Sequence, residues 1–152
     1  MEINLEVKQQ AEAKKTTEKK KSSDNRSYAT GKRKTSIARV WLKEGKGKII
    51  VNKKEFKDYF SDESAEAIAN QPFAVTESLK KYDVYSSVKG GGVSAQVQAL
   101  RHAISKALVE LNETAFRKLL RNAGLLTRDS RIVERKKYGR KKARKSFQFS
   151  KR

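Results

Sequence analysis

The chain of 152 residues contains no cysteine and a single histidine. A disulfide framework, a thiolate zinc site and a cysteine nucleophile are therefore excluded, and imidazole metal chemistry would depend on His102 alone. His102 follows Arg101 and has no acidic neighbour in the sequence, so it is a poor candidate for a catalytic base. We expect no metal site, no cofactor and no cysteine or histidine catalysis.

Long apolar runs are also absent. No stretch approaches the roughly 18 apolar residues that a membrane-spanning helix requires, and the first residues lack the apolar centre of a secretory signal. We expect a soluble protein with no membrane partner, in a reducing compartment.

Acidic residues are few relative to basic ones. The chain has 37 Lys and Arg against 17 Asp and Glu, which gives a formal net charge of +20 and a pI of about 10.2. Residues 128–152 carry 12 of the basic residues and only two acidic ones, so half of the net charge lies in this segment. An excess of this size indicates a polyanionic partner, either nucleic acid or an anionic membrane surface.

Composition divides the chain into three regions. Residues 1–27 are rich in Lys, Glu, Gln and Ser and poor in large apolar residues, which predicts a disordered N-terminal extension. Residues 28–127 have the periodic apolar pattern of a globular domain. Residues 128–152 are predicted to form a long extended basic C-terminal tail, because their cations repel one another until phosphates neutralise them. Tyr138, Phe147 and Phe149 offer rings in the tail that could stack on unpaired bases.

Alternation of apolar and polar residues predicts three strands, over residues 35–42, 48–52 and 82–89. In the first strand Ala38, Val40 and Leu42 share one face, and Arg39 lies on the other. The glycine-rich stretch at residues 44–47 suggests that the first two strands form a hairpin.

Helical periodicity predicts four helices, over residues 55–60, 63–70, 90–111 and 114–122. Pro72 is expected to stop the second helix, and Ser94 is expected to cap the start of the third. The fourth should bury Phe116, Leu119 and Leu120 and end before Gly124 in a left-handed cap. Strands followed by packed helices predict a two-layer α+β domain.

A glycine-rich loop, KGGGVSA, opens the third predicted helix. It matches the G-x-G-x-x-A form of a dinucleotide fingerprint, which raises the alternative of a dinucleotide-binding enzyme. The second parallel strand with its acidic residue and the further βαβ units are missing, so this alternative is weak. No nucleophile, base and orienting group can be assembled, and we predict that the chain is not an enzyme. The loop is either a simple turn or a place where backbone N–H groups approach a phosphate.

Four stretches then carry a family resemblance: ATGKRKTSIARVWLKEGKGKIIVN, NQPFAVTESLKKYDVYSSVKGGG, QALRHAISKAL and GLLTRDSRIVERKKYGRKKARKSFQFSKR. They resemble protein nine of the small ribosomal subunit in its bacterial form, over residues 28–152 and not over residues 1–27. The last stretch is the most specific, since LTRD, ERKK-x-G, KKAR and SKR occur in order and at the family's spacing.

This resemblance implies a fold and a set of partners. The implied fold is that of the second domain of small-subunit ribosomal protein five, a mixed sheet with helices on one face and a left-handed crossover. The implied partners are 16S ribosomal RNA in the subunit head, peptidyl-site transfer RNA and neighbouring head proteins. The chain would be a monomer within the ribosome, without a small-molecule substrate. It would be cytoplasmic and ribosome-bound, on a bacterial or an organellar ribosome.

The resemblance also implies roles for particular residues. Those expected to contact ribosomal RNA are Lys32, Arg33, Lys34, Lys89, Gly90, Gly91, Gly92, Arg101, Arg128, Arg131, Arg135, Lys136, Lys137, Tyr138, Arg140, Lys141, Lys142, Arg144, Lys145 and Phe147. Those expected at the anticodon stem-loop of the transfer RNA are Ser150, Lys151 and Arg152. The transfer RNA contacts would read the shape of the backbone and not its sequence.

The chain departs from the family pattern at three positions. Ala95, Gln98 and Ala103 stand where glycine is common, and alanine there should strengthen the helix by up to about 1 kcal/mol per site. These side chains could also prevent the closest approach of the helix backbone to RNA. A basic protein that shapes DNA is the remaining alternative, although it would not require FQFSKR at the end of the tail.

Overall fold

A computed structural model describes residues 26–150 of the chain. Its strands are β1 (Arg26–Arg33), β2 (Ser36–Glu44), β3 (Ile49–Val51), β4 (Lys54–Glu55) and β5 (Tyr82–Lys89), and its helices are α1 (Phe56–Tyr59), α2 (Glu63–Val75), α3 (Val93–Leu111) and α4 (Glu113–Asn122). Strand β1 begins two residues before the domain boundary predicted at residue 28. The rest of the predicted extension, residues 1–25, lies outside the described residues.

The strands form one mixed sheet in the order β1-β2-β5-β3-β4. Strand β2 pairs antiparallel with β1 and β5, and β3 pairs parallel with β5 and antiparallel with β4. The chain passes from β3 to β5 through β4, α1 and α2. The prediction of a two-layer α+β domain with a mixed sheet is therefore confirmed.

The predicted hairpin between residues 35–42 and 48–52 is wrong, because these segments form β2 and β3 and β5 lies between them. The stretch at residues 44–47 instead joins the start of β5. The Asp83 carboxylate accepts backbone N–H groups from Lys46 and Lys48 at 2.9 Å each, and these bonds hold its pKa below its ordinary value. The turn residues in the sequence correctly indicated that the chain reverses after β2. They did not indicate that the neighbour of β2 in the sheet is β5 and not β3.

Strand β1 was not predicted, because its inward-facing residues are small. Ser27, Ala29 and Gly31 are buried, and none has the bulk that marks a strand in a sequence. Small residues are needed here because α3 lies directly on this strand. A Cβ placed on Gly31 would lie 2.2 Å from the carbonyl oxygen of Ala99 and 2.4 Å from the backbone nitrogen of Ala103.

Helix α3 forms the centre of the core. Apolar residues recur at intervals of three and four along α3, and four of them, Val97, Leu100, Ile104 and Leu108, are at most 2% exposed, whereas Leu111 at its end is only partly buried. They pack on the inner face of β2, where Ala38, Val40 and Leu42 are fully buried, while α2 and α4 flank α3. The face predicted for residues 35–42, with Ala38, Val40 and Leu42 on one side, is confirmed as the inner face of β2.

Three details of the helices differ from prediction. Helix α2 continues through Pro72 to Val75, since Pro72 is buried in the core and its packing offsets the lost backbone hydrogen bond. Helix α3 begins at Val93 with Gly92 as its N-cap, so Ser94 lies inside the first turn and does not cap it. In α4, Leu120 is buried but Leu119 is 47% exposed.

Among residues 26–150, no helix packs on the outer face of the sheet. Along β2 the residues that face this side are Ile37, Arg39, Trp41 and Lys43, which are exposed and alternate with the buried residues from Ser36 to Leu42. We call this surface the open face. None of the helices within residues 26–150 is both long and apolar enough to span a membrane.

Candidate nucleic-acid interface

The hairpin between β1 and β2 carries the first predicted RNA-binding cluster at its tip. Lys34 turns the chain with φ of 49°, and Lys32 and Lys34 are exposed. Two cations therefore lie at the end of a rigid hairpin, which holds them on the surface at a fixed place relative to the core.

The glycine loop lies against this hairpin tip. The Ser36 hydroxyl donates to the Gly90 carbonyl at 2.9 Å. Gly90 and Gly91 have φ of 74° and 65°, and a Cβ on Gly91 would lie 2.0 Å from the Ser36 Oγ. Both glycines are therefore required by the left-handed backbone and by close packing. Gly92 has open space around it, and the neighbouring Lys89 is exposed.

The start of the tail is held at the same end of the sheet by Arg33. Its Nε donates to the Gln98 side-chain oxygen at 2.8 Å, its Nη1 donates to the Arg131 carbonyl at 3.0 Å, and its Nη2 pairs with the Asp129 carboxylate at 2.9 Å. The Arg33 side chain is only 13% exposed. We call Arg33, Gln98 and Asp129 the tail clamp. Arg33, expected at an RNA phosphate, thus has partners within the chain.

Asp129 also binds the side chain of Arg131, whose Nη2 lies 2.7 Å from the carboxylate. Hydrogen bonds from the Arg131 side chain and backbone, with the nearby charge of Arg33, hold the pKa of Asp129 well below its ordinary range. The carboxylate therefore stays ionised at neutral pH, and the clamp remains charged on both sides.

His102 forms a second link between β1 and the start of the tail. Its Nδ1 accepts the Lys32 backbone N–H at 3.4 Å, and its Nε2 lies 3.2 Å from the Leu126 carbonyl. A neutral ring with its proton on Nε2 satisfies both contacts. Burial lowers the pKa of His102, and the charges of Lys106, Arg128 and Arg101 lower it further, against the opposing bond to Leu126.

We therefore expect the free energy of unfolding to decrease as the pH falls from 7.5 to 5.5. The unfolded chain binds a proton at His102 near the ordinary pKa of 6.5, whereas the pKa of His102 in the folded chain is lower. The stability that the neutral ring contributes is therefore fully present above pH 6.5 and is lost as the pH falls below it. Urea unfolding across this range would measure the effect, and His102→Gln should flatten it. Because His102 is the sole histidine, its proton NMR titration can be assigned directly. A titration at or above 6.5 would contradict the prediction.

Beyond the clamp the tail has no helix or strand up to Ser150 and lies almost wholly exposed. Glu134 pairs with Lys137 and with Arg144, and both bonds lower the pKa of the Glu134 carboxyl. Lys141 lies 5.6 Å from the ring centre of Phe147. These exposed pairs stabilise little in water, and most of the charge remains available to a partner.

The predicted site residues differ in how freely they face solvent. Tyr138 is fully exposed and Phe147 is 59% exposed, whereas Arg101 is bound to the Gln71 side chain at 2.8 Å. The tail cations with exposed side chains are Arg128, Arg131, Arg135, Lys136, Lys137, Arg140, Lys141, Lys142, Arg144 and Lys145. Ser150 is exposed, while Lys151 and Arg152 lie outside the described residues.

The three departures from the family pattern have structural explanations. Ala103 is fully buried against Gly31, and Ala95 is 8% exposed, so neither presents its side chain on the surface. Gln98 belongs to the tail clamp. Of these three side chains, only that of Gln98 could therefore keep the helix backbone away from RNA.

The structure thus gathers three cationic segments that are far apart in sequence. The hairpin tip, the glycine loop with the start of α3, and the first residues of the tail are joined at one end of the sheet by the bonds of Ser36 and Arg33. Within residues 26–150, no three metal-ligating side chains lie close enough together to hold a metal ion.

Comparison with known proteins identifies the family. The family model described as Ribosomal protein S9/S16 matches residues 31–152. The chain belongs to this family. It is 56% identical to small ribosomal subunit protein uS9 of Rickettsia canadensis (strain McKiel) over 138 residues, which cover 91% of this chain and 85% of that protein. The identity is 55% to the uS9 of Rickettsia rickettsii (strain Sheila Smith), covering 91% and 86%, and 54% to that of Rickettsia bellii (strain OSU 85-389), covering 91% and 84%.

Membership of the S9/S16 family, in its bacterial form, confirms the resemblance on which the residue roles were based. The aligned region is longer than residues 28–152, so it includes part of the segment 1–27 that the resemblance was expected to leave out. The chain is a small-subunit ribosomal protein and not an enzyme, which excludes the dinucleotide-binding alternative.

Two residues of the tail clamp were not predicted from the sequence. Gln98 and Asp129 looked like ordinary polar residues, and only their approach to Arg33 reveals them. Asp129 did carry one signal, since it is one of only two acids in a segment with 12 cations. The lone acids of a basic tail are candidates for contacts within the chain.

Proposed function

We propose that this small-subunit ribosomal protein binds 16S ribosomal RNA in the head of the subunit, in the cytoplasm and beside neighbouring head proteins. The observation that supports this most directly is the convergence of the hairpin tip, the glycine loop and the clamped tail at one end of the sheet. This arrangement gives a rigid cationic end and a tail able to follow phosphates away from it.

The proposal assigns different tasks to the two parts. Lys32, Lys34 and Lys89 bind phosphates from fixed positions on the domain, and the open N-terminus of α3 beside Gly92 adds positive potential. The exposed tail cations displace counterions from ribosomal RNA, and the tail becomes ordered as they do so. Tyr138 and Phe147 stack on bases or fill grooves between RNA segments.

We further propose that Ser150, Lys151 and Arg152 contact the anticodon stem-loop of peptidyl-site transfer RNA. The contacts would be charge-assisted bonds to the backbone, which suit every transfer RNA equally. They would moderately aid initiation fidelity and maintenance of the reading frame.

The first test is sedimentation of a cell lysate on sucrose gradients at moderate and high salt, with this chain followed beside 16S RNA. We expect it to sediment with the small subunit and to remain there after the high-salt wash. Migration with free proteins, or release at moderate salt, would contradict the proposal. For the tip, subunits reconstituted with a Lys151→Gln, Arg152→Gln variant should bind peptidyl-site transfer RNA more weakly than those with Lys151→Arg, Arg152→Lys.

A further inference from the structure

The open face of the sheet carries a row of exposed rings that the proposed function does not use. Tyr28, Trp41 and Tyr85 are register partners on β1, β2 and β5, and their exposures are 43%, 38% and 46%. Ile50 on β3 continues the row beside Tyr85. Single exposed apolar residues are ordinary, but a continuous row across adjacent strands marks a binding surface.

The rings border a hollow of suitable size for a flat ligand. The ring centres of Tyr28 and Trp41 are 5.3 Å apart and the ring planes form an angle of 40°. Tyr28 therefore packs against one side of the Trp41 ring. On its other side a hollow of about 500 Å³ is lined by Trp41, Tyr85, Lys43 and Arg26. An aromatic wall with cations at its edge is complementary to a base and its phosphate.

The flanking rows of the open face are positively charged. Lys43 lies beside the rings on one side and Arg39 on the other, and the next row holds Lys32 and Lys89 near the hairpin tip. Asp83 is the acid in these flanking rows, and its carboxylate is engaged by the turn at Lys46 and Lys48, while Glu55 ends the row of rings at the edge strand β4. The open face is thus cationic around an aromatic centre, and it is continuous with the interface at the end of the sheet.

We propose that the open face binds an unpaired stretch of RNA, with a base stacked on Trp41 in the hollow beside Tyr85 and phosphates held by Lys43 and Arg39. This inference rests on the proposed function and assigns it a second, single-strand-selective surface. Bases in a duplex are stacked on each other and cannot enter the hollow, whereas any unpaired base can, so recognition should tolerate different sequences. A protein partner would need acidic residues matched to each of these cations to avoid leaving buried charge unpaired.

The test uses Trp41 as its own reporter, because it is the only tryptophan in the chain. The full chain is titrated with a fluorescently labelled single-stranded RNA of about twelve nucleotides, a length within the usual site sizes. The same sequence as a duplex, and heparin as a polyanion without bases, are titrated in parallel. Anisotropy of the labelled RNA measures total binding, and the emission of Trp41 measures stacking.

We expect single-stranded RNA to quench Trp41, and heparin to bind without quenching it. Tyr85→Ala should weaken binding of the single strand by about tenfold and binding of the duplex much less. Lys43→Gln, which leaves the rings intact, should weaken it by a smaller factor. The control is Leu79→Ala, which removes a side chain that is 53% exposed in the loop between α2 and β5, outside the strands of the sheet, and should change neither signal.

Two results would overturn the inference, and they differ in what they say about the proposed function. If anisotropy shows binding while Trp41 emission stays constant and Tyr85→Ala binds as tightly as Leu79→Ala, the open face does not bind RNA and the tail accounts for the affinity. The open face would then be a surface for a neighbouring protein. If anisotropy shows no binding of any RNA, both the inference and the proposed function are wrong.

Discussion

Removing residues 132–152 should eliminate most of the salt-dependent affinity of this chain for 16S ribosomal RNA. The truncation deletes ten Lys and Arg with one Glu, but keeps Asp129 and Arg131 so that the tail clamp and the domain remain intact. If about six of these cations reach phosphates, the slope of log affinity against log salt concentration should decrease by about 4. Affinity at physiological salt should fall by at least roughly 100-fold.

The measurement is a series of filter-binding or anisotropy titrations with a 16S fragment from the subunit head at several salt concentrations. Deletion of residues 1–21 is a control of equal length, since that segment carries six Lys and four Glu and so has little net charge. This control should keep nearly the full slope. Equal slopes for the two deletions would mean that the tail does not neutralise phosphates.

Gly31→Ala should be the most destabilising conservative change in the domain, lowering the free energy of unfolding by about 3 kcal/mol. The added methyl group would meet backbone atoms of Ala99 and Ala103 at 2.2 and 2.4 Å. Backbone of a long core helix cannot rotate away as a side chain can, so α3 would have to lift from β1 along its whole contact. Urea unfolding monitored by circular dichroism gives the change directly.

Gly92→Ala is the matched control for that substitution. It places the same methyl group at the N-cap of α3, where nothing lies within 4 Å and φ is −104°. Its cost should remain below about 1 kcal/mol, because only the capping preference is affected. A Gly31→Ala variant as stable as Gly92→Ala would show that α3 and β1 are not in the close contact described.

Elements with strong periodicity could be predicted from the sequence, while their neighbours in space could not. Strand β5 and helix α3 have regular apolar spacing, and both were predicted nearly to their ends. Strand β1 was not predicted because α3 packs so closely on it that its buried residues, Ser27, Ala29 and Gly31, are small. Small residues do not give the alternation of large apolar and polar residues that marks a strand. The pairing of β3 with β5 depends on the crossover between them, and local turn residues contain no information on it.

The candidate site shows the same division. Clusters of like charge are visible in a sequence, so the hairpin cations, the glycine loop and the tail could be proposed from composition. Their assembly at one end of the sheet depends on bonds between residues up to 98 positions apart, such as that from Arg33 to the Arg131 carbonyl. Contacts of that range arise from the fold, and a single sequence does not report them.

The tail clamp also sets the point from which the tail extends, and therefore the distance that its end can reach. Because Arg33 fixes the chain at Asp129 and Arg131, the distance that the following residues can cover is measured from a defined origin. An extended chain spans at most about 3.6 Å per residue, so Ser150 can lie no more than roughly 70 Å from Arg131. A loosened clamp would shift this origin, so the place that the end of the tail can reach depends on one partly buried guanidinium at the other end of the tail.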